Sequence, residues 1–373
     1  MKRIGLITIH DTVNFGSLLQ TFALYKAIEE MGADLTLIDY KCRAIQKRET
    51  LYNLRDCRKP KDYVKYIFMH KDLEEKYHNF WQFIRKYMKV SEAYDELTID
   101  SCNDLFDSFI VGSDIVWGME ITGCDFNYML EFVQNGKDMI AFSASVGEEW
   151  DKKYEDHIRV LLSRFSQISV REERAARWME FLLDQKTDVT CDPTMLMDSD
   201  FWDEYTSPEI APKGEYILVY LRTKDKRNIE DAIKYGNEHN MPVYYINYGK
   251  PIRGIHNIKP TRVWEWLSLI RYGSVVFTAS YHGFLFSIYF HKSFFFYYNT
   301  NVWRMQSLSK MLDIPYREGN AENIRIDRPV DYDRLEPTIH EIRRNSKYIL
   351  RQMLVSNELI SDSQGEKINE SYM

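Results

Sequence analysis

The sequence predicts an α/β protein of two domains that face each other across a cleft. Three observations predict it. The chain opens with strand, helix and strand in "RIGLITI", "SLLQTFALYKAIEEMG" and "ADLTLIDY", a crossover unit that implies a parallel sheet. The same alternation recurs in the second half. Finally, 373 residues exceed one ordinary core. A stretch with two prolines and no sustained period, 198–215, marks the boundary. The predicted division is 1–205, 206–356 and a flexible tail, 357–373.

Each element has its own signal. "RIGLITI" (3–9) is a continuous apolar run, as in a strand buried on both faces, and "HDTVNFG" (10–16) is a loop. Residues 17–32 carry apolar side chains at helical spacing and stop at Gly32; 33–40 is the next strand. Residues 41–100 break the rhythm: they are charged, basic and helical, with aromatics interleaved. They predict a helical insertion in the first domain that packs its aromatics on the body. A surface for an anionic acceptor or a membrane is the alternative. Strands follow at "FDSFIVGSDIVW", "DMIAFSASVG", "QISV" and "DVTCDPTMLM", with helices after the second and third. The second domain repeats the pattern with strands at "YILVYLR", "MPVYYINY", "SVVFTAS" and "SFFFYY", helices between them, and a terminal helix at 337–356.

Composition narrows the function classes. A net charge of −7 leaves no whole-chain basic footprint for nucleic acid. Five scattered cysteines without a CxxC pair argue against a disulfide framework or a zinc site. No run approaches the length of a membrane helix, and the first residues lack a signal-peptide pattern. A reducing, cytoplasmic setting is expected.

Polar residues gather where predicted strands end, the place such folds put their chemistry. Asn14, Gly16 and Ser17 follow the first strand, with a Ser cap and a helix N-terminus that favours an anion. Ser113 and Asp114 follow "FIV", and Arg171 and Glu172 follow "QISV". A cation opening a helix opposes the dipole and needs an anionic partner. Glu172, Glu173 or Asp192 would serve, and so would a substrate phosphate or carboxylate gripped bidentately. Arg222 raises the same question after "YILVYL". In "TASYHGFLF", Ser280 and His282 stand between a buried strand and a helix, and Gly283 is read as letting a ligand approach. The other eight histidines read as helical or polar and form no ligand spacing. "DSD" at 198–200 reads as a turn and helix cap rather than a metal motif.

Taken together, "IGLITIHDTVNFGSLLQTFALYKAIEEMGADLTLIDY", "FDSFIVGSDIVWG", "AFSASVG", "ISVREERA", "DPTML", "YILVYLR" and "VFTASYHGFLFSIYFHKSFFFYY" resemble the polysaccharide pyruvyl transferase family, in the bacterial branch of exopolysaccharide gene clusters. The resemblance implies a GT-B-like fold of two Rossmann-like domains. It implies transfer of pyruvate from phosphoenolpyruvate, as a ketal, to a sugar of a glycan or a lipid-linked precursor. It also implies that His282 is the essential histidine. Where relatives carry a basic residue or an Asp just before it, this chain has Ala279, Ser280 and Tyr281.

Ketal formation needs a positioned acid to protonate the donor's methylene carbon, the role expected of His282. Arg171, Arg222 and Arg304 would clamp phosphate and carboxylate, and Asp114 or Glu172 would orient a sugar hydroxyl or act as base. No metal and no cofactor beyond the donor is required, no nucleic-acid partner is expected, and peripheral membrane association fits a lipid-linked acceptor. A GT-B glycosyltransferase using a nucleotide sugar and a catalytically inactive glycan-binding relative are the alternatives.

Overall fold

The structure, a computed structural model, describes residues 2–49, 54, 57–221, 226–298, 302–320, 322–325 and 329–361. It divides into two compact units. The first comprises Met1–Glu49, Ile84–Met197 and His340–Met373; the second comprises Thr50–Phe83 and Asp198–Ile339.

The first unit is built on seven parallel strands. In chain order its elements are β1 (Arg3–Ile7), α1 (Phe15–Glu30), β2 (Asp34–Tyr40), α2 (Arg43–Glu49), the last turn of α3 (Pro60–Tyr87), β3 (Val90–Tyr94), β4 (Ser108–Val111), α4 (Met119–Thr122), β5 (Asp138–Ala144), α5 (Glu155–Leu162), β6 (Gln167–Val170), α6 (Glu173–Leu183) and β7 (Asp188–Val189). The strand order is β3-β2-β1-β4-β5-β6-β7. The order of the strands reverses between β1 and β4, which pair in parallel from Ile4 with Ser108 to Ile7 with Val111. β4 is buried along its whole length, as expected of a strand covered on both faces. Helix α1 is buried nearly all round, so its sequence lacks the polar face of a surface helix.

The second unit holds most of α3, then α7 (Ser199–Asp203), β8 (Ile217–Tyr220), α8 (Lys226–His239), β9 (Val243–Ile246), β10 (His256–Ile258), α9 (Val263–Arg271), β11 (Val275–Thr278), α10 (Tyr281–Tyr289), β12 (Ser293–Phe296), α11 (Val302–Met311) and the start of α12 (Tyr332–Ser356). Its five strands are parallel in the order β10-β9-β8-β11-β12, so the reversal lies between β8 and β11. Aromatic edges knit this core: Trp202 and Trp266 each meet Phe286 edge-on, at 4.9 and 5.2 Å between ring centroids. Asp198 caps α7 through the Phe201 amide at 2.9 Å.

Three features differ from the sequence-based expectation. The insertion at 41–100 is not one helical block: it ends in an edge strand, β3, and its residues 50–83 fall with the second unit. The terminal helix crosses units, because its second half is tied to the first. There Arg343 donates to the Met195 carbonyl at 2.8 Å, and the Cys191 amide donates to Ser346 Oγ at 3.0 Å. Residues 357–361, expected in a flexible tail, are held in place, and 362–373 lie outside the described residues. Asn357 donates to Gln167 Oε1 at 3.2 Å, and Leu359 and Ile360 are buried.

Candidate functional site

In open parallel sheets a ligand crevice forms beyond the strand C-termini where the strand order reverses. Both units carry polar clusters at that point.

In the first unit, Asn14 caps α1. Its Oδ1 accepts from the Gly16 amide at 3.2 Å and its Nδ2 donates to Ser17 Oγ at 2.8 Å. The cap is therefore Asn14 rather than Ser17, and the Gly16 amide is already occupied. Ser17 Oγ donates onward to Asp114 Oδ2 at 2.6 Å. The chain leaves β4 through Gly112 at φ 134° and Asp114 at φ 64°. A Cβ at Gly112 would lie 2.0 Å from the Phe142 carbonyl oxygen, so only glycine fits. Ser113 is spent on the scaffold: its amide donates to Gln20 Oε1 at 3.2 Å and its hydroxyl to the Ser143 carbonyl at 2.7 Å.

Arg171 opens toward three carboxylates. Its Nη1 lies 2.6 Å from Asp192 Oδ2, its Nη2 3.7 Å from Asp114 Oδ1 and its Nε 3.5 Å from Glu172 Oε1. Of the partners open from sequence, the chain itself supplies the anions. Glu172 stands at the α6 N-cap position but makes no cap; it accepts from Ser145 Oγ at 2.6 Å. Asp192 Oδ1 accepts from both the amide and the hydroxyl of Thr194.

A second cluster at the ends of β1 and β2 escaped the sequence reading. Lys41 Nζ lies 2.9 Å from Asp39 Oδ1 and 3.2 Å from Asp11 Oδ1. His10 Nε2 lies 3.2 Å from Asp39 Oδ1, its Nδ1 lies 3.1 Å from the Thr8 carbonyl, and the ring is buried. Burial alone would push the Asp39 carboxyl up. The hydrogen bond and charge of His10, with those of Lys41, outweigh it and hold the carboxyl below its usual value. The signal was available: His10, Asp11, Asp39 and Lys41 end strands just as Asp114 does.

In the second unit, β11 ends at Thr278, whose hydroxyl donates to the Tyr220 carbonyl at 2.8 Å and accepts from the Ser280 amide at 3.0 Å. Ser280 caps α10 by accepting from the Gly283 amide at 3.3 Å. Gly283 does not open space for a ligand: a Cβ there would meet Thr278 Oγ1 at 2.4 Å and Tyr220 Cδ1 at 2.9 Å. It lets the helix pack on its own sheet. His282 occupies the first turn and is 6% exposed, deeper than a surface imidazole. Tyr281 meets it edge-on at 5.4 Å, and the Arg304 guanidinium lies 5.1 Å from the Tyr281 ring centroid. The structure thus gathers His282, Ser280, Gly283 and Arg304 in one unit, and Asn14, Ser17, Ser113, Asp114, Arg171 and Glu172 in the other. Arg222 lies outside the described residues. Among the described residues, no group of three or more His, Cys, Asp or Glu is placed to hold a metal ion.

The profile of the polysaccharide pyruvyl transferase family matches residues 14–301. The chain belongs to that family. The pyruvyl transferase segment includes Asn14, Asp114, Arg171, Glu172 and His282; His10 and Asp11 precede it, and Arg304 follows it. No curated protein sequence matches the chain. Among solved structures, it is similar to a protein from Listeria monocytogenes described as a UDP-N-acetylglucosamine 2-epimerase. The two share 12% identity and a TM-score of 0.51, over 93% of this chain and 90% of that one. It is also similar to a UDP-glucosyltransferase from Polygonum tinctorium, with 9% identity and a TM-score of 0.50, over 96% of this chain and 98% of that one. At such identities the likeness speaks to fold: this pyruvyl transferase family member has the two Rossmann-like sheets of the GT-B class.

Proposed function

We propose that the protein moves the pyruvyl group of phosphoenolpyruvate onto two hydroxyls of a saccharide, free or lipid-linked, as a ketal. The reading draws on the transferase family that matches residues 14–301. The observation that carries it is His282, an imidazole in the first turn of α10 just beyond the switch strand β11.

The imidazolium of His282 gives its proton to the methylene carbon of the donor, which becomes a methyl group. Positive charge develops at C2, one sugar hydroxyl adds there, phosphate leaves with its bridging oxygen, and the second hydroxyl closes the ketal. Two hydroxyl protons are released; one restores His282 and the other leaves with phosphate. Arg304, beside Tyr281, is a cation of the same unit that would meet the donor's anionic groups. Asp114 and Glu172 are engaged by Ser17, Ser145 and Arg171, so no proton transfer is assigned to them.

The test incubates the protein with phosphoenolpyruvate and a panel of saccharide acceptors, reading inorganic phosphate and the ketal mass increment. Phosphate release that depends on acceptor supports the reading. Release of a nucleoside diphosphate from a sugar nucleotide, with none from phosphoenolpyruvate, would establish a glycosyltransferase instead. Stabilisation by phosphoenolpyruvate without turnover would mark an inactive binder.

A further inference from the structure

The first half of α3 carries its apolar residues on the wrong side. One face of this helix is fastened to the second unit: Leu73 is buried, Asp72 pairs with Lys259, and Lys76 lies 4.5 Å from the Tyr248 ring centroid. Asn79 donates to Thr261 Oγ1 at 3.1 Å. The opposite face presents Tyr63, Val64, Ile67 and Phe68, all exposed, with Ile67 74% accessible. They are spaced i, i+1, i+4 and i+5, which places them on one stripe. Elsewhere among the described residues, no two exposed large hydrophobics lie within five positions of each other in the sequence.

Charge accompanies the stripe. Residues 58–71 hold five cations, Arg58, Lys59, Lys61, Lys65 and Lys71, against one carboxylate, Asp62, in a chain whose net charge is −7. That carboxylate is used locally, accepting from the Lys59 amide at 2.9 Å. An aromatic and aliphatic stripe edged by lysines is the pattern of a helix that lies in the plane of a membrane interface. Anionic headgroups attract the lysines while the apolar side chains enter the acyl boundary. A second copy of the chain is the poorer occupant, because symmetric pairing through this face would bring the same cations together.

We infer that the exposed stripe of α3, centred on Tyr63, Val64, Ile67 and Phe68, docks the protein on an anionic lipid bilayer. The inference is independent of the reaction catalysed.

Flotation of the full chain with vesicles tests it, using phosphatidylcholine alone or mixed with phosphatidylglycerol. The wild type is expected to float with the mixed vesicles, less so at high salt, and to stay behind with phosphatidylcholine alone. Ile67→Asp is expected to abolish flotation. A second variant, Lys61→Glu with Lys71→Glu, leaves the stripe intact. One kcal/mol per basic residue near an anionic surface is about fivefold in partitioning, so removing two cations weakens binding roughly 25-fold or more. Circular dichroism and the melting temperature should match the wild type for both variants, since every altered side chain is exposed. Absence of flotation with either vesicle overturns the inference, as does flotation that both variants retain. A concentration-dependent dimer that Ile67→Asp dissociates, without vesicle binding, would assign the stripe to a second copy instead.

Discussion

Arg171 and Asp192 form an ion pair at 2.6 Å with both side chains almost wholly shielded, 2% and 0% exposed. Removing one partner of such a pair strands a charge in a poor solvent, at a typical cost of about 3–5 kcal/mol. Asp192→Asn keeps an oxygen for Thr194 but removes the charge and puts an NH2 donor where Oδ2 accepts from Arg171. It is expected to lower stability by about 3 kcal/mol, with Asp192→Ala lower still. Urea unfolding followed by fluorescence checks this. A loss below about 1 kcal/mol for Asn would mean that Glu172 and Asp114 replace Asp192 as partners.

For His282 the decisive comparison is turnover against stability. Positioned proton transfer contributes on the order of 10²–10⁴-fold in rate. His282→Asn preserves much of the buried volume, so stability is expected to fall by on the order of 1 kcal/mol while phosphate release drops by that factor. Phosphate release at the wild-type rate in the folded variant would remove His282 from the chemistry.

Acid should expose the role of Lys41. The Asp39 carboxyl is held below its usual value in the folded protein, so the native state favours its ionised form. That stabilisation is complete above the unfolded carboxyl pKa, near 4, and is lost as pH falls through the lower folded value. Lys41→Met removes one of the groups holding it down. The variant is expected to lose stability at neutral pH and to lose less on further acidification, so the two stability curves converge at low pH. Urea midpoints across the acid limb test this; parallel curves would show that Lys41 does not govern Asp39.

Two glycines with positive φ separate crowding from conformation. Gly136, at φ 89°, has nothing within 4 Å of where a Cβ would sit; Gly112, at φ 134°, would drive one into the Phe142 carbonyl. Gly136→Ala is expected to cost about 1–2 kcal/mol, the left-handed penalty alone. Gly112→Ala should cost several times that or fail to yield folded protein. Equal melting temperatures for the two variants would refute the steric assignment.

The central strands of both sheets were legible because burial on both faces leaves an uninterrupted apolar run: "SFIV", "ILVY" and "VVFT" are β4, β8 and β11. The edges were not. β3 reads "VSEAY", partly exposed and set in a charged stretch, and β10 has three residues, too short for periodicity. Among candidate site residues, the strand-end rule points to Asp114, Arg171 and His282, which do follow β4, β6 and β11. It could not tell that Arg171 faces carboxylates of its own chain, because Asp192 lies 21 positions away and only the β6–β7 pairing brings it near. His10 follows a strand end too, but a histidine in a polar-looking loop carries no sign of the burial it has in the fold.

The division of the first unit among three separated segments bears on how the protein is made. Its last segment supplies Arg343, Ser346 and Asn357 to partners at 195, 191 and 167. During translation, residues 1–197 emerge with the seats for that segment vacant. At roughly 5–20 residues per second, the intervening stretch 198–339 occupies the ribosome for on the order of ten seconds. The second unit has its whole sequence by then, so the half that is begun first is the half that is finished last.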